Sequence, residues 1–180
     1  SMRHLLLVGL TALAGLSASA AVPFKIGMAG FSFWKTPLDK SLETMKAIDC
    51  HYLCVKDFHL PLNADEAKIA AFRAKCKAAG VETLALGPVY FSGWGPSRQL
   101  FEQAKKMGVK TVVVIPFELP KGEKDEFAKR VESEKALDIL EQLVKEYDIR
   151  AAIHNHGPDM PKLYPTAEAV VARIRNRDRR

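Results

Sequence analysis

The chain has 180 residues, 48% of them hydrophobic and 27% charged, and a formal net charge of +6. That length suits one ordinary domain, and the composition excludes the disordered, collagen-like and low-complexity classes. Three cysteines, Cys50, Cys54 and Cys76, exclude a disulfide framework, and the first two lack C-x-x-C spacing.

The first element is "MRHLLLVGLTALAGLSASA", after Ser1. It has a basic tip at Arg3 and His4, an apolar core from Leu5 to Leu16, and an A-x-A cleavage pattern at Ala18-Ser19-Ala20. The pattern predicts a secretory signal over residues 1–20, and its apolar run is short for a membrane span. The mature chain is expected to start near Ala21, periplasmic or secreted, with no stable membrane span after signal removal. A buried N-terminal helix is the competing reading.

From residue 21 onward, short β-rich runs recur at nearly even spacing: "KIGMAGF" from Lys25, "YLCVKD" from Tyr52, "VETLALG" from Val81, "KTVVVIPF" from Lys110 and "IRAAIHNH" from Ile149. Amphipathic helices alternate with them, marked by Leu42, Met45 and Ile48, then by Ile69, Phe72, Cys76 and Ala79. The third is marked by Leu100, Phe101, Ala104 and Met107. Leu137, Leu140, Leu143 and Val144 mark the fourth, and Ala167, Val170, Val171 and Ile174 the fifth. Asn63 and Glu66 suggest a capping box for the second helix and Gly80 its end. Ser97 or Pro96 opens the third, and Gly108 closes it.

Strands apolar on both faces, alternating with helices, predict a parallel sheet covered by helices. The repeat has the size of one βα unit of a (β/α)8 TIM barrel, which takes about 250 residues in all. A dinucleotide-binding sheet is disfavoured, because "GMAGFSFW" lacks G-x-G-x-x-G spacing and sets aromatics where phosphates would lie. The expected fold is therefore α/β, a truncated barrel of about five units over residues 21–180. Its open sheet edges invite oligomerisation. The tail carries Arg173, Arg175, Arg177, Arg179 and Arg180. No aromatic residue interleaves with them, which favours a solvated helix end over a nucleic-acid or lipid surface.

Barrel enzymes gather function at the C-terminal ends of the strands. In chain order those ends hold Phe31, Phe33 and Trp34; Lys56, Asp57 and His59; Tyr90 and Trp94; Glu118; and His154, Asn155 and His156. Each has a plain alternative. Lys56 and Asp57 are an exposed ion pair or functional groups, His59 a loop cap or a substrate contact, and Glu118 a loop solvator or a catalytic group. The aromatics are core plugs or a wall for a sugar ring. His154 and His156 share one side of an extended chain that turns at once at Gly157-Pro158. They are metal ligands, substrate contacts or strand caps, and two imidazoles alone are an incomplete metal shell.

"VKDFHLPL", "GPVYF", "EYDIRAAIHNHGPD", the following "YPTAEA" and the closing "RDRR" resemble the xylose-isomerase-like sugar phosphate isomerase/epimerase family, in its exported branch. The resemblance runs from about Lys25 to the end, and "IHNHGPD" is its most specific part. It implies a TIM barrel that binds one divalent ion of the zinc, manganese or magnesium class at the rim. It also implies proton transfer next to the carbonyl of a ketose or aldose, usually by a pair of glutamates that also bind the ion.

Carried onto these residues, it makes His154 and His156 metal ligands and Lys56 and Glu118 catalytic candidates. It makes Trp34, Asp57, His59, Tyr90, Trp94 and Asn155 contacts to a small-molecule carbohydrate. Many relatives have a glutamate where His154 stands, and their remaining ligands would fall beyond Arg180. Metal binding by these 180 residues is therefore expected to be weak or absent. A carbohydrate isomerase or epimerase, expected to be incomplete and inactive in these 180 residues alone, is the first reading and a non-catalytic sugar-binding barrel the second. An apurinic endonuclease of the same superfamily is disfavoured, since export argues against a nucleic-acid partner.

Overall fold

A computed structural model describes residues 24–157 and 159–180. The expected signal, the start near Ala21 and Pro158 of the expected turn lie outside the described residues. Among the described residues no helix is long and apolar enough to cross a membrane.

Among the described residues, six strands and five α-helices follow in chain order: β1 (Met28–Ala29), α1 (Leu38–Ala47), β2 (Tyr52–Val55), α2 (Glu66–Ala78), β3 (Glu82–Phe91) and α3 (Trp94–Met107). Then come β4 (Thr111–Glu118), β5 (Val131–Glu132), α4 (Glu134–Tyr147), β6 (Arg150–Ile153) and α5 (Ala167–Ile174). The pairs β1–β2, β2–β3, β3–β4 and β4–β6 are all parallel, as the run of βα units demands. The result is a curled part-barrel. β5 was not anticipated. It pairs antiparallel with the last two residues of β4, Phe117 with Glu132 and Glu118 with Val131.

Alternation along the strands sorts side chains into two layers. Leu53, Val55, Leu86, Val89, Phe91, Val112 and Val114 join the helical residues Leu100, Phe101, Leu137 and Leu143 in the main core. The other face of β4 gives Ile115 and Phe117, which pack with Met160, Leu163 and Tyr164 in a second cluster that Tyr90 borders. The segment between β6 and α5 therefore forms a plug over the inner face of the sheet.

Local chemistry explains the helix ends. Asp65 caps α2, its carboxylate accepting from the Lys68 N–H at 2.8 Å, which replaces the Asn63–Glu66 capping box expected from the sequence. α3 begins at Trp94, not at Pro96 or Ser97, and ends as expected on Gly108 at φ 70°. Ser133 caps α4 and Thr166 caps α5. All three cysteines are free thiols.

The basic tail folds back onto α4. Arg177 pairs with Glu134 at 2.7 Å, Asp138 at 2.8 Å and Glu141 at 3.2 Å. Arg173 pairs with Glu132 at 2.7 Å and Glu134 at 3.1 Å. These arginines are spent on docking α5 against α4.

Candidate functional site

Because the strands are parallel, their C-terminal ends form one rim. Tyr90 lies opposite Ile115 in the ladder and Ile153 opposite Val114, and the His154 N–H donates to the Val114 carbonyl at 2.9 Å. The ladder thus runs one residue past the end of β6 and delivers His154 beside β4. The chain then leaves the sheet, and the His156 N–H donates to the Tyr164 carbonyl at 2.9 Å.

The two imidazoles meet edge to face, with ring centroids 5.1 Å apart and planes at 82°. The Tyr90 hydroxyl is hydrogen-bonded to His156 Nε2, and the two rings stack at 5.6 Å. When Tyr90 donates, the imidazole proton sits on Nδ1. Burial pushes the Tyr90 phenol up to about 12, with the nearby Arg130 cation opposing, so it stays protonated at neutral pH. Burial lowers both imidazoles below their ordinary value, and His154 lowers His156 further. The pair is neutral at pH 7.

That shift sets a pH dependence. A histidine depressed in the fold binds fewer protons there than in the unfolded chain, so stability falls as the pH drops below the ordinary value of about 6.5. Proton-detected NMR should place both histidine midpoints below that of the exposed His51, which Asp49 and the Gly80 carbonyl raise. Midpoints equal to or above that of His51 would count against the neutral pair.

The β4–α4 connection completes the array. Phe127, in the short 3-10 turn Phe127–Lys129, sits 5.2 Å from Tyr90 and 5.6 Å from His156. The Arg130 guanidinium carbon lies 4.4 Å from the Phe117 ring centre, 4.6 Å from Tyr90 and 5.5 Å from Phe127. The sequence reading missed Phe127 and Arg130. They stand in a charge-rich stretch with no periodicity, and only the two-residue β5 brings them to the rim.

The other expected residues are distributed around this array. Lys56 pairs with Asp57 at 2.6 Å on the end of β2, with the lysine side chain 15% exposed and the aspartate 46%. His59 Nε2 is 2.8 Å from the Thr36 carbonyl, which ties down the β1–α1 loop, and its Nδ1 is buried without a partner among the described residues. Trp34 stacks with Phe31 at 6.0 Å, and both are exposed. Trp94 opens α3 with Arg98 over its ring at 5.7 Å.

Asn155 is exposed between the two histidines. Glu118 alternates away from Phe117, and its carboxylate accepts from Ser133 Oγ at 2.8 Å, beside the start of α4. Lys56 and Glu118 thus have separate partners, whereas His156 touches both Tyr90 and His154.

The residues test poorly as a complete metal centre. Among the described residues no three His, Cys, Asp or Glu side chains group to hold an ion, and His156 Nε2 is already engaged by Tyr90. Two imidazoles without a third donor do not make a zinc shell.

No family model and no curated relative match the chain. Solved structures do. An uncharacterised protein from Parabacteroides distasonis superposes with a TM-score of 0.66 at 23% identity, covering 86% of this chain and 60% of that one. A D-psicose 3-epimerase with D-tagatose from Clostridium cellulolyticum gives 0.61 at 13% identity, covering 84% and 59%. An IolI protein with a bound zinc atom gives 0.59 at 18% identity, covering 84% and 58%.

These likenesses fix the fold. The chain is an α/β part-barrel of the xylose isomerase-like TIM-barrel type, and it spans about 60% of the length of these three structures. Two of the solved structures that share this fold are of D-psicose 3-epimerases.

Proposed function

We propose that this chain forms the sugar-binding rim of a carbohydrate isomerase or epimerase. The contact array of Tyr90, His156 and His154 carries the reading. It offers a phenol and two neutral imidazoles on the face of the sheet that a barrel uses for its substrate. The epimerase bound to D-tagatose, of the same fold, supports a sugar as the ligand class. The exported setting expected from residues 1–20 belongs to the same proposal.

The chemistry asked of the site is removal of a proton next to a carbonyl and its return to the neighbouring carbon or the opposite face. That needs a base that is unprotonated at neutral pH, which a neutral imidazole is. His154 is the better placed of the two, because Tyr90 already engages His156 Nε2. Tyr90 orients His156 through the bond from its hydroxyl to Nε2. Lys56, mostly buried beside Asp57, adds positive charge at the β2 end of the rim, and Trp34 offers a ring face to the sugar. Glu118, held by Ser133, is the weaker catalytic candidate. A divalent ion would polarise the carbonyl in this class of reaction, but these residues do not complete its shell.

Calorimetry with a panel of aldoses and ketoses that includes D-fructose, followed by NMR of the bound sugars in D2O, tests the proposal. Deuterium entry at the carbon next to the carbonyl is expected, and it should drop at least about 100-fold in His154→Ala. Sugar binding without exchange would favour the non-catalytic carbohydrate-binding barrel. No binding by any sugar, with His154→Ala and His156→Ala indistinguishable from the parent, would overturn the sugar-site reading.

A further inference from the structure

Arg130 is the charged group in contact with this array that the proposed chemistry leaves unused. Its side chain is 17% exposed, and Nε donates to Asp125 at 2.9 Å, an aspartate whose own side chain is 51% exposed. Its guanidinium carbon sits 4.4 Å from the Phe117 ring centre and 4.6 Å from that of Tyr90, two rings that stand at 78° to each other. A guanidinium carries five N–H donors, and among the described residues the side chain spends one, on Asp125.

A mostly buried cation with unspent donors is costly to keep unless something pairs with them. Contact with aromatic rings spends none of those N–H donors, and a guanidinium edge with free donors takes a carboxylate or phosphate with two parallel bonds. Tyr90 links this edge to the histidines, because one side of its ring meets Arg130 while its hydroxyl meets His156.

We infer that Arg130 is a specificity residue that binds an oxyanion, carboxylate or phosphate, on the sugar held at Tyr90 and His156. The inference rests on the sugar-site reading for its ligand and adds the charge of that ligand. Asp125 is the internal competitor, since it holds the guanidinium when no oxyanion is present. The β4–α4 connection, which carries both residues, becomes the element that discriminates charged from neutral substrates.

The test is calorimetry on the full chain with D-fructose, D-fructose 6-phosphate and D-fructuronate. At least one anionic sugar is expected to bind about tenfold or more tightly than D-fructose, with the advantage shrinking as salt rises. The phosphate and uronate arms say which oxyanion is read. Arg130→Gln should erase the advantage and keep D-fructose binding. Asp125→Asn, at an exposed position, should strengthen binding of the anionic sugar severalfold.

Equal binding of all three sugars overturns the inference and leaves the sugar site standing, as does an advantage that survives Arg130→Gln in a protein with a normal melting curve. If Arg130→Gln fails to fold, Asp125→Asn decides, and unchanged affinity for both anionic sugars overturns the inference. No binding by any of the three while another sugar of the panel binds also overturns it. No binding by any sugar of the panel removes the site reading as well.

Discussion

Gly87→Ala is expected to cost about 3–5 kcal/mol of stability, a large share of what a domain of this size has. Gly87 sits in β3 at φ +124°, and a Cβ there would lie 2.2 Å from the Val113 carbonyl oxygen and 3.0 Å from its carbon. Backbone strain alone accounts for about 1–3 kcal/mol at such a φ. The rest comes from prying β3 from β4 where the ladder already shifts register, between Leu86 and Val89. Tyr90 follows three residues later, so the rim should loosen with the ladder. Urea unfolding followed by far-UV circular dichroism measures the loss. Gly95→Ala is the control, because it is helical and nothing lies within 4 Å of where its new methyl would stand. A Gly87→Ala midpoint matching that control would refute the steric argument.

The same strand shows why part of the fold was legible and part was not. β3 and β4 were readable because their apolar runs are buried on both faces. β2 and β6, which are half-buried or exposed at alternate positions, were readable from their short apolar composition. α2, α3 and α4 were readable because Ile69, Phe72 and Cys76, then Leu100, Ala104 and Met107, then Leu137, Leu140 and Val144 each recur at helical spacing toward one core. The α2 cap was misplaced because Asn63 and Asp65 both have capping side chains, and only the backbone decides which one faces the free N–H groups.

At the rim, the pairing of His154 with His156 followed from alternation, and the convergence of strand ends followed from parallel pairing. What the sequence could not supply was direction. Glu118 was placed at the rim correctly but turned toward Ser133, since alternation from Phe117 carries it to the other layer. Arg130 and Phe127 were invisible because their partners are Tyr90, Phe117 and His156, each distant or aperiodic in sequence.

Tyr164→Ala is expected to be the other severe substitution, at about 3–5 kcal/mol, because it empties a large, fully buried position. The residue is a strut between the imidazole loop and the β4–α4 connection. Its carbonyl accepts from His156, its N–H donates to Glu132 Oε1 at 3.0 Å, and its hydroxyl donates to the Pro116 carbonyl at 2.9 Å. It holds this place at φ 50°, a left-handed conformation that a tyrosine adopts only when its surroundings insist.

Two substitutions separate the hydroxyl from the ring. Tyr164→Phe keeps the volume and strands one buried carbonyl, so it should cost about 1–2 kcal/mol and leave sugar binding within about twofold. Tyr164→Ala removes the plug over Ile115 and Phe117, so the His156 loop loses its seat and sugar affinity should fall with stability. Denaturant melts paired with calorimetry on both variants check this. If Tyr164→Ala melted like Tyr164→Phe and bound sugar equally well, the plug would not be what sets the histidines against Tyr90.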